Sequence, residues 1–132
     1  MSQEKVEVVK RLYHAWEQDG FGVVPALMDP EIEYVNPPYA VEPGTRCGYE
    51  GFATAAASIR AIYPTRRFEP LAFHDTQDRV AVRVRVIARG VGSSVEVVAE
   101  RGYVFDLRDG RVVRFSWFNE AREALAAVGL EE

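Results

Sequence analysis

The stretch that decides the fold is RVAVRVRVIAR, residues 79–89. Within it, the valines from Val82 to Val86 alternate with Arg83 and Arg85. Because successive side chains of a β-strand point to opposite faces of a sheet, this alternation predicts a strand with one apolar face and one charged face. We expect the valine face to lie on a hydrophobic core and the arginine face to point away from it.

The segments around this strand predict a curved, mostly antiparallel sheet. Further strands are expected at about residues 67–75, 95–107 and 111–118, and the turns between them are short and rich in Gly, Asp and Ser. An earlier strand is expected at residues 31–36, where Pro37 ends it because proline has no backbone N–H to donate. A loop rich in Pro and Gly is expected from there to Cys47. In the last strand, Val113 is expected to share the inner face with Phe115 and Trp117.

Helical segments flank these strands. Apolar side chains recur at helical spacing from the N-terminus to Asp19-Gly20, which ends the first helix. A short second helix is expected at residues 21–28, a third at 48–63, and a last one at 119–128 with Asn119 as its N-cap. The pattern therefore predicts an α+β fold with three to four helices that enclose an apolar pocket against the sheet.

Composition and charge narrow the class of protein. The 132 residues suit one domain, residues 1–132. No apolar run approaches the roughly 20 residues of a membrane span, and the N-terminus has no signal-peptide core, which favours a cytoplasmic protein without a membrane partner. The net charge is −4 and no lysine-rich stretch occurs, which argues against nucleic acid as a partner.

Metal and disulfide chemistry are not expected. The chain has two histidines and one cysteine, Cys47, so neither a transition-metal site nor an intramolecular disulfide is expected. We interpret Cys47 as a half-buried filler, and we expect no metal and no cofactor.

The predicted inner face of the sheet carries large aromatic side chains and a few polar groups. Such a surface describes a small-molecule pocket better than a plain core. The candidate catalytic or polarising residues are Arg101, Tyr103, Asn36 and Tyr34. The residues expected to contact a small lipophilic ligand are Tyr13, Trp16, Phe52, Val84, Val86, Phe105 and Trp117.

The predicted outer face carries arginines beside glutamates, an arrangement that cross-strand pairing favours. We therefore interpret these arginines as structural rather than as an anion site or a nucleic-acid site. Ile87, Val98, Val104 and Phe118 are also expected on or near this face. A face this mixed predicts a homodimer that forms through the outer face of the sheet.

Several motifs resemble those of a known superfamily. They are VKRLYHAW at 9–16, MDPEIEY at 28–34, GYEGF at 48–52, LRDGRVV at 107–113 and EALAAVGL at 123–130. Together they resemble the nuclear-transport-factor-2-like superfamily and, within it, the SnoaL-like (polyketide-cyclase-like) branch. The resemblance covers nearly the whole chain and implies a cone-shaped roll with a deep pocket and frequent homodimers. Members include ketosteroid isomerases, epoxide hydrolases, polyketide cyclases, dehydratases and non-catalytic binding domains, so it is weak evidence for function.

The resemblance allows a comparison with the catalytic residues of ketosteroid isomerases. Those enzymes need a carboxylate base at the end of the first strand, where this chain has Asn36, which cannot take a proton. Their oxyanion tyrosine corresponds to Leu12, and their protonated aspartate to Tyr103, which can still donate a hydrogen bond. By this comparison the chain lacks the base and half of the oxyanion hole.

Limonene epoxide hydrolase-like enzymes show Tyr-x-Asn-x-Pro at the same strand end, which YVNPP at residues 34–38 matches. In that family the tyrosine and the asparagine orient the attacking water. The family's Asp-Arg-Asp relay, however, corresponds to Val86, Val84 and Trp117, none of which transfers protons. The SnoaL-type cyclases use an acidic residue inside the cone, and no strand of this chain clearly points one inward.

Individual residues also keep two interpretations. Asn36 either orients a water or a ligand carbonyl, or caps the strand end before Pro37. Arg101 either binds an anion or stabilises an enolate, or it extends to solvent at the mouth of the cone or pairs with Glu50.

Two functions of different classes stay open. The first is a cofactor-independent isomerase, cyclase or dehydratase that acts on a lipophilic carbonyl compound, with Glu42 or Glu50 moving in as the base. The second is a non-catalytic binding protein for a small apolar ligand, which the missing inward carboxylate favours. An acid or a histidine inside the cone near Arg101 or Tyr103 would indicate the enzyme. No feature of the sequence identifies the ligand.

Overall fold

Three helices and six strands form within residues 2–130, which the computed structural model describes (with side chains for residues 4–64 and 66–130). In chain order they are α1 (Ser2–Asp19), β1 (Met28–Asn36), β2 (Gly44–Cys47), α2 (Gly48–Ile62), β3 (Thr65–Thr76), β4 (Arg79–Arg89), β5 (Glu96–Arg108), β6 (Arg111–Phe118) and α3 (Ala121–Ala127). The strands form one sheet in the order β2-β1-β6-β5-β4-β3. Strands β1 and β6 run parallel, and every other neighbouring pair is antiparallel. The predicted α+β class with a mostly antiparallel sheet is confirmed.

The two faces of β4 divide as the alternation predicts. Val82 and Val84 are buried in the core. On the opposite face, Arg83 Nε donates to Glu100 Oε1 at 3.0 Å and Arg85 Nη1 donates to Glu69 Oε1 at 3.4 Å. The interpretation of these arginines as outward and paired is therefore confirmed. Because the ion pairs are largely solvated, each adds little stability.

The core fills the inner face of the sheet beneath α1 and α2. The ring of Phe115 on β6 lies 6.0 Å from Trp16 of α1, 5.9 Å from Phe52 of α2 and 5.2 Å from Phe105 of β5, measured between ring centroids. Aromatic pairs at such separations add about 0.5–1.5 kcal/mol each beyond their burial. These four rings are the centre of an aromatic cluster that fixes both helices on the sheet.

Helix α3 packs on the outer face of the sheet. It begins with a capping box in which Glu120 and Glu123 each bind the other's backbone N–H. A Cβ atom placed on Gly102 of β5 would stand 2.6 Å from the Cβ atom of Ala124. The helix therefore approaches the sheet this closely because residue 102 has no side chain.

The position of α3 corrects the prediction for the outer face. Val104 is buried beneath this helix and so is not available to a partner subunit, and Phe118 is half-buried against the same cluster. Val98 is exposed and Ile87 is half-buried. The homodimer through the outer face stays a prediction.

Residues 21–28 do not form the predicted second helix. The segment has a bend at residues 21–22 and a turn at residues 25–27, and β1 begins at Met28. Gly22, Val23 and Pro25 all disfavour helix, which explains the difference.

Three smaller predictions are also wrong. The predicted loop before Cys47 contains β2, which pairs with β1, and Cys47 is exposed rather than half-buried. Val113 does not point into the core as predicted, because a bulge at this residue turns Val112 toward the core instead.

Among the described residues, none of the helices has both the length and the hydrophobicity that a membrane crossing requires.

Candidate functional site

A cavity of about 470 Å³ lies between the inner face of the sheet and helix α2. Side chains of β1, β4, β5 and β6 form one wall, α2 forms another from Ala55 to Ile62, and the loop at residues 40–42 borders the mouth. Ligand pockets commonly measure about 300–1,000 Å³. Part of the space exists because α2 presents the small side chains of Ala55 and Ser58 to it.

The four polar residues that the sequence singles out, Tyr34, Asn36, Arg101 and Tyr103, all line this cavity. They come together because β1, β6 and β5 are neighbours in the sheet and each of the four points to its inner face. The two tyrosines are buried, whereas Asn36 and Arg101 are half-buried. Their roles in binding or catalysis stay predictions.

The apolar residues expected at the ligand divide into two groups. Val86 and Trp117 line the cavity. The other five belong to the aromatic core and do not line it: Tyr13, Trp16, Phe52, Val84 and Phe105. Alternation predicts the face on which a strand side chain lies but not its depth, and Val84 and Phe105 lie deep beneath the helices, where Tyr13 and Trp16 of α1 and Phe52 of α2 join them in the core. Tyr13 and Trp16 instead border a separate cleft of about 210 Å³.

Asn36 is held in place by Trp117. The indole Nε1 donates to Asn36 Oδ1 at 2.7 Å. Because this bond engages the amide oxygen, the NH₂ group of Asn36 is the part left to donate to a ligand. The contact favours the orienting role over the strand cap, in which Oδ1 would accept a backbone N–H.

Arg66, at the start of β3, is a cavity residue that the sequence analysis missed. Its guanidinium carbon lies 5.4 Å from the ring centroid of Phe21 and 4.6 Å from that of Phe68. The Tyr103 hydroxyl is a neighbour of this guanidinium, and each group shifts the pKa of the other. Its Nη1 is buried and has no hydrogen-bond partner among the residues that the structure describes.

The signal for Arg66 was present in the sequence. The predicted strand began at Arg67, so Arg66 fell in a loop. Strand period two, counted back from the inward-facing Phe68, places Arg66 on the inner face and Arg67 on the outer face. The structure has this arrangement, with Arg67 paired to Glu69 at 3.2 Å.

Burial shifts the pKa values of the groups around Arg66. It lowers the pKa of Arg66, an effect that the nearby hydroxyls of Tyr103 and Tyr34 oppose. It raises the pKa of Tyr103, which the positive charges of Arg66 and Arg101 partly offset, and it raises the pKa of Tyr34. At neutral pH both phenols are therefore neutral donors, and arginine keeps its proton throughout the physiological range.

The cavity wall contains one carboxylate, that of Glu42, among the side chains described. Arg46 Nη2 donates to Glu42 Oε1 at 2.6 Å, and the Glu42 side chain is 76% exposed, so the pair lies at the mouth. Glu50, the other acid considered, does not line the cavity. Within residues 2–130, no three His, Cys, Asp or Glu side chains are grouped as a metal ion requires.

Arg101 also lies at the mouth. Its Nη1 donates to the carbonyl oxygen of Glu100 at 3.0 Å, so among the described contacts its partner is this backbone oxygen and not Glu50. With Arg46 and Arg66 it gives the cavity three arginines against one glutamate. The charged side chains that line the cavity therefore carry a net positive charge.

The mouth has an apolar rim. Val41, Ile62 and Val97 line the cavity and are also exposed to solvent. Asn119 lies at the same opening. It is not the predicted N-cap of α3, because Glu120 occupies that position.

The site therefore combines apolar walls with inward hydrogen-bond donors. Such a site can bind a carbonyl oxygen and stabilise negative charge that develops on it. Abstraction of a proton would require Glu42 to leave Arg46 first.

Comparison with known proteins identifies relatives of the chain. A family model described as a SnoaL-like domain matches residues 9–115. No curated protein matches the sequence.

Solved structures share the fold at low sequence identity. The structure of TerC co-crystallised with polyporic acid is 19% identical, covers 95% of this chain and 97% of that chain, and has a TM-score of 0.77. A putative SnoaL-like polyketide cyclase from Jannaschia sp. CCS1 is 19% identical, with coverages of 99% and 95% and a TM-score of 0.77. An NTF2-like protein of unknown function from Burkholderia pseudomallei K96243 is 18% identical, with coverages of 96% and 98% and a TM-score of 0.76.

Proposed function

Because the chain belongs to the SnoaL-like domain family, as its motifs predict, we propose that it binds a small lipophilic carbonyl compound in the cavity beside α2. Family membership alone does not choose an activity, since one fold hosts many functions. The observation that carries the proposal is the set of donors on the wall, namely the phenols of Tyr34 and Tyr103 and the NH₂ group of Asn36. A carbonyl oxygen complements them because it accepts hydrogen bonds and donates none.

The walls support a lipophilic ligand. Phe115, Val86 and Trp117 form much of the surface around the donors, and apolar walls with a few placed polar groups are typical of small-molecule sites. Co-crystallisation of TerC with polyporic acid supports the use of such a fold to enclose a small molecule.

Two fluorescent probes of similar size test the proposal. Prodan is a naphthalene ketone, and N-phenyl-1-naphthylamine has no carbonyl group. We expect both to bind the wild-type protein. Tyr103→Phe and Asn36→Leu should each lower the affinity for Prodan about five- to tenfold, which corresponds to one hydrogen bond of about 1 kcal/mol. Neither change should alter the affinity for N-phenyl-1-naphthylamine.

Tyr49→Phe is the matched control. Its hydroxyl donates to the backbone oxygen of Met28 at 2.8 Å and does not line the cavity, so both affinities should stay unchanged. Failure of both probes to bind would contradict the proposal. Equal losses for the two probes in Tyr103→Phe would contradict carbonyl recognition.

A second candidate is a cofactor-independent isomerase, cyclase or dehydratase, and the carboxylate of Glu42 at the cavity wall favours it. Such reactions begin with loss of a proton from the carbon next to a carbonyl group. Glu42 would take this proton while the C–H electron pair moves to the oxygen to form an enolate, which the Tyr103 hydroxyl would stabilise.

Hydrogen exchange tests the second candidate without knowledge of the substrate. The CH₂ group next to the Prodan carbonyl should take up deuterium in D₂O when the protein removes its protons, and mass spectrometry measures the uptake. Faster exchange with the wild-type protein than with Glu42→Gln would support the enzyme. Exchange at the uncatalysed rate with both proteins would contradict the enzyme and would leave ligand binding as the function.

A further inference from the structure

We infer that the natural ligand of the cavity is an organic anion whose negative oxygen binds the guanidinium of Arg66. The inference rests on the proposed binding function. It narrows the ligand from lipophilic carbonyl compounds in general to those that bind as carboxylates or enolates.

The lack of an acidic partner distinguishes Arg66 from the arginines of the outer face. Arg83, Arg85, Arg89 and Arg114 each contact a glutamate at 2.8–3.4 Å. Among the described side chains, no carboxylate lies within 4.0 Å of the Arg66 guanidinium. Arg66 thus lies on the inner face of the sheet with a charge that no described carboxylate neutralises.

The contacts that Arg66 does make satisfy only part of its needs. The rings of Phe21 and Phe68 face its guanidinium and attract its charge. The Tyr103 hydroxyl is its polar neighbour. Nη1 is left buried without an acceptor, and a buried charged donor without an acceptor is unfavourable. A ligand oxyanion would satisfy this donor and neutralise the charge together.

Among the described residues, the titratable groups that act on the charge of Arg66 are the phenols of Tyr103, Tyr34 and Tyr63. Burial raises the pKa values of Tyr103 and Tyr34, so these two stay neutral at physiological pH. Glu17 and Glu96 border the second cleft, which Arg66 also lines, but neither lies within 4.0 Å of its guanidinium. A bound anion would supply the counter-charge that no described side chain provides.

The other charges of the cavity favour the same class of ligand. Arg46 is neutralised by Glu42, whereas Arg101 at the mouth has no carboxylate partner among the described residues and binds a backbone oxygen. An entering anion thus meets a positive residue at the mouth and another inside. The apolar rim selects anions with a large hydrophobic part.

One pair of probes isolates the charge. 8-Anilinonaphthalene-1-sulfonate is N-phenyl-1-naphthylamine with one sulfonate added, so the ratio of their affinities measures the preference for an anion. Arg66→Met should lower this ratio about tenfold or more, the effect of losing a hydrogen bond to a charged group. Arg83→Met, which removes the same charge from the outer face, should change it less than about twofold.

A second variant keeps the test valid if Arg66→Met does not fold. Arg66→Gln keeps amide donors and removes the charge, so the same fall in the ratio is expected if Arg66→Met does not fold. Near-ultraviolet circular dichroism establishes that each variant is folded.

The results that would contradict the inference differ from those that would contradict the proposed function. An unchanged ratio in a folded Arg66 variant that still binds N-phenyl-1-naphthylamine overturns the inference and leaves the proposed function intact. If neither probe binds the wild-type protein, the proposed function fails and the inference fails with it. Equal falls in the Arg66 and Arg83 variants would also overturn the inference, because they would report net charge and not the site.

Discussion

The hydroxyl of Tyr39 donates a hydrogen bond to Oε1 of Glu123 at 2.9 Å and thereby joins the loop at the cavity mouth to helix α3. The same hydroxyl accepts the backbone N–H of Asn119 at 2.8 Å. The ring of Tyr39 also stands edge-on to Trp117, with centroids 6.5 Å apart. Because the next residues of this loop border the cavity, this contact fixes one side of its mouth.

Tyr39→Phe should loosen this side of the mouth. The change keeps the ring and removes both hydrogen bonds, each worth about 0.5–1.5 kcal/mol. The backbone amides of Ala40, which donates to the Pro37 oxygen at 3.0 Å, and of Asn119 should therefore exchange with solvent roughly tenfold faster in hydrogen–deuterium exchange, while exchange in β4 stays unchanged. Unaltered exchange at these two amides would mean that backbone turns, and not Tyr39, hold the loop.

Alkaline pH tests the burial of the tyrosines. Burial raises the pKa values of Tyr13, Tyr34 and Tyr103. A group whose pKa is higher in the folded state contributes stability that is complete below its unfolded pKa of about 10 and is lost as the pH rises through its folded value. The free energy of unfolding should therefore be independent of these groups up to roughly pH 9 and fall above it.

Tyrosinate absorbance measures the same effect directly. Of the six tyrosines, these three should ionise at a higher pH in the folded protein than in the same protein unfolded by urea. Ionisation of all six while near-ultraviolet circular dichroism is still native would contradict the burial.

Much of the fold could be predicted from local sequence patterns because they encode which face a side chain occupies. The alternation in β4 placed Val82 inside and Arg83 outside, and the same period placed Tyr34, Asn36 and Tyr103 on the cavity side of the sheet. Such patterns depend on strand geometry alone, so they hold without knowledge of neighbouring elements.

The features of the fold and of the site that were not predicted depend on contacts between distant segments. Val84 and Val86 share a face, yet only Val86 lines the cavity, because depth is set by the helices above the strand. Arg66 was missed because the strand begins two residues earlier than predicted. Helix α3 was expected with the other helices, but glycine at 102 lets it pack on the opposite face.

Gly102→Ala should destabilise the protein. The new Cβ would meet Ala124 Cβ at 2.6 Å and the backbone oxygen of Glu120 at 2.9 Å, so α3 has to move away. Overpacking of this kind lowers the free energy of unfolding by about 1–3 kcal/mol, which urea denaturation measures. Gly90→Ala is the control, since its Cβ would have its nearest neighbour at 3.8 Å and should change stability by less than about 0.5 kcal/mol.

The predicted homodimer has a specific test at Val98. This residue is 58% exposed on the outer face, where it pairs across the strands with Ile87. A charge introduced at the centre of an apolar contact opposes association, so Val98→Lys should raise the dimer dissociation constant roughly tenfold or more. Light scattering measures the mass, and Val41→Lys at the cavity mouth is the control. A monomeric wild-type protein at high concentration would count against this dimer.

Arg66 should lower the free energy of unfolding of the ligand-free protein. Burying even part of an ion is costly, and the two aromatic rings that face the half-buried Arg66 offset only part of this cost. Methionine keeps apolar contact with Phe21 and Phe68 and carries no charge. We therefore expect Arg66→Met to raise the free energy of unfolding by roughly 1 kcal/mol, measured by urea denaturation after extraction of any lipophile. Arg85→Met, which breaks an exposed ion pair with Glu69, should change it by less than about 0.5 kcal/mol. A fall of more than about 1 kcal/mol in Arg66→Met would mean that the residue holds the core together and is not retained for a ligand.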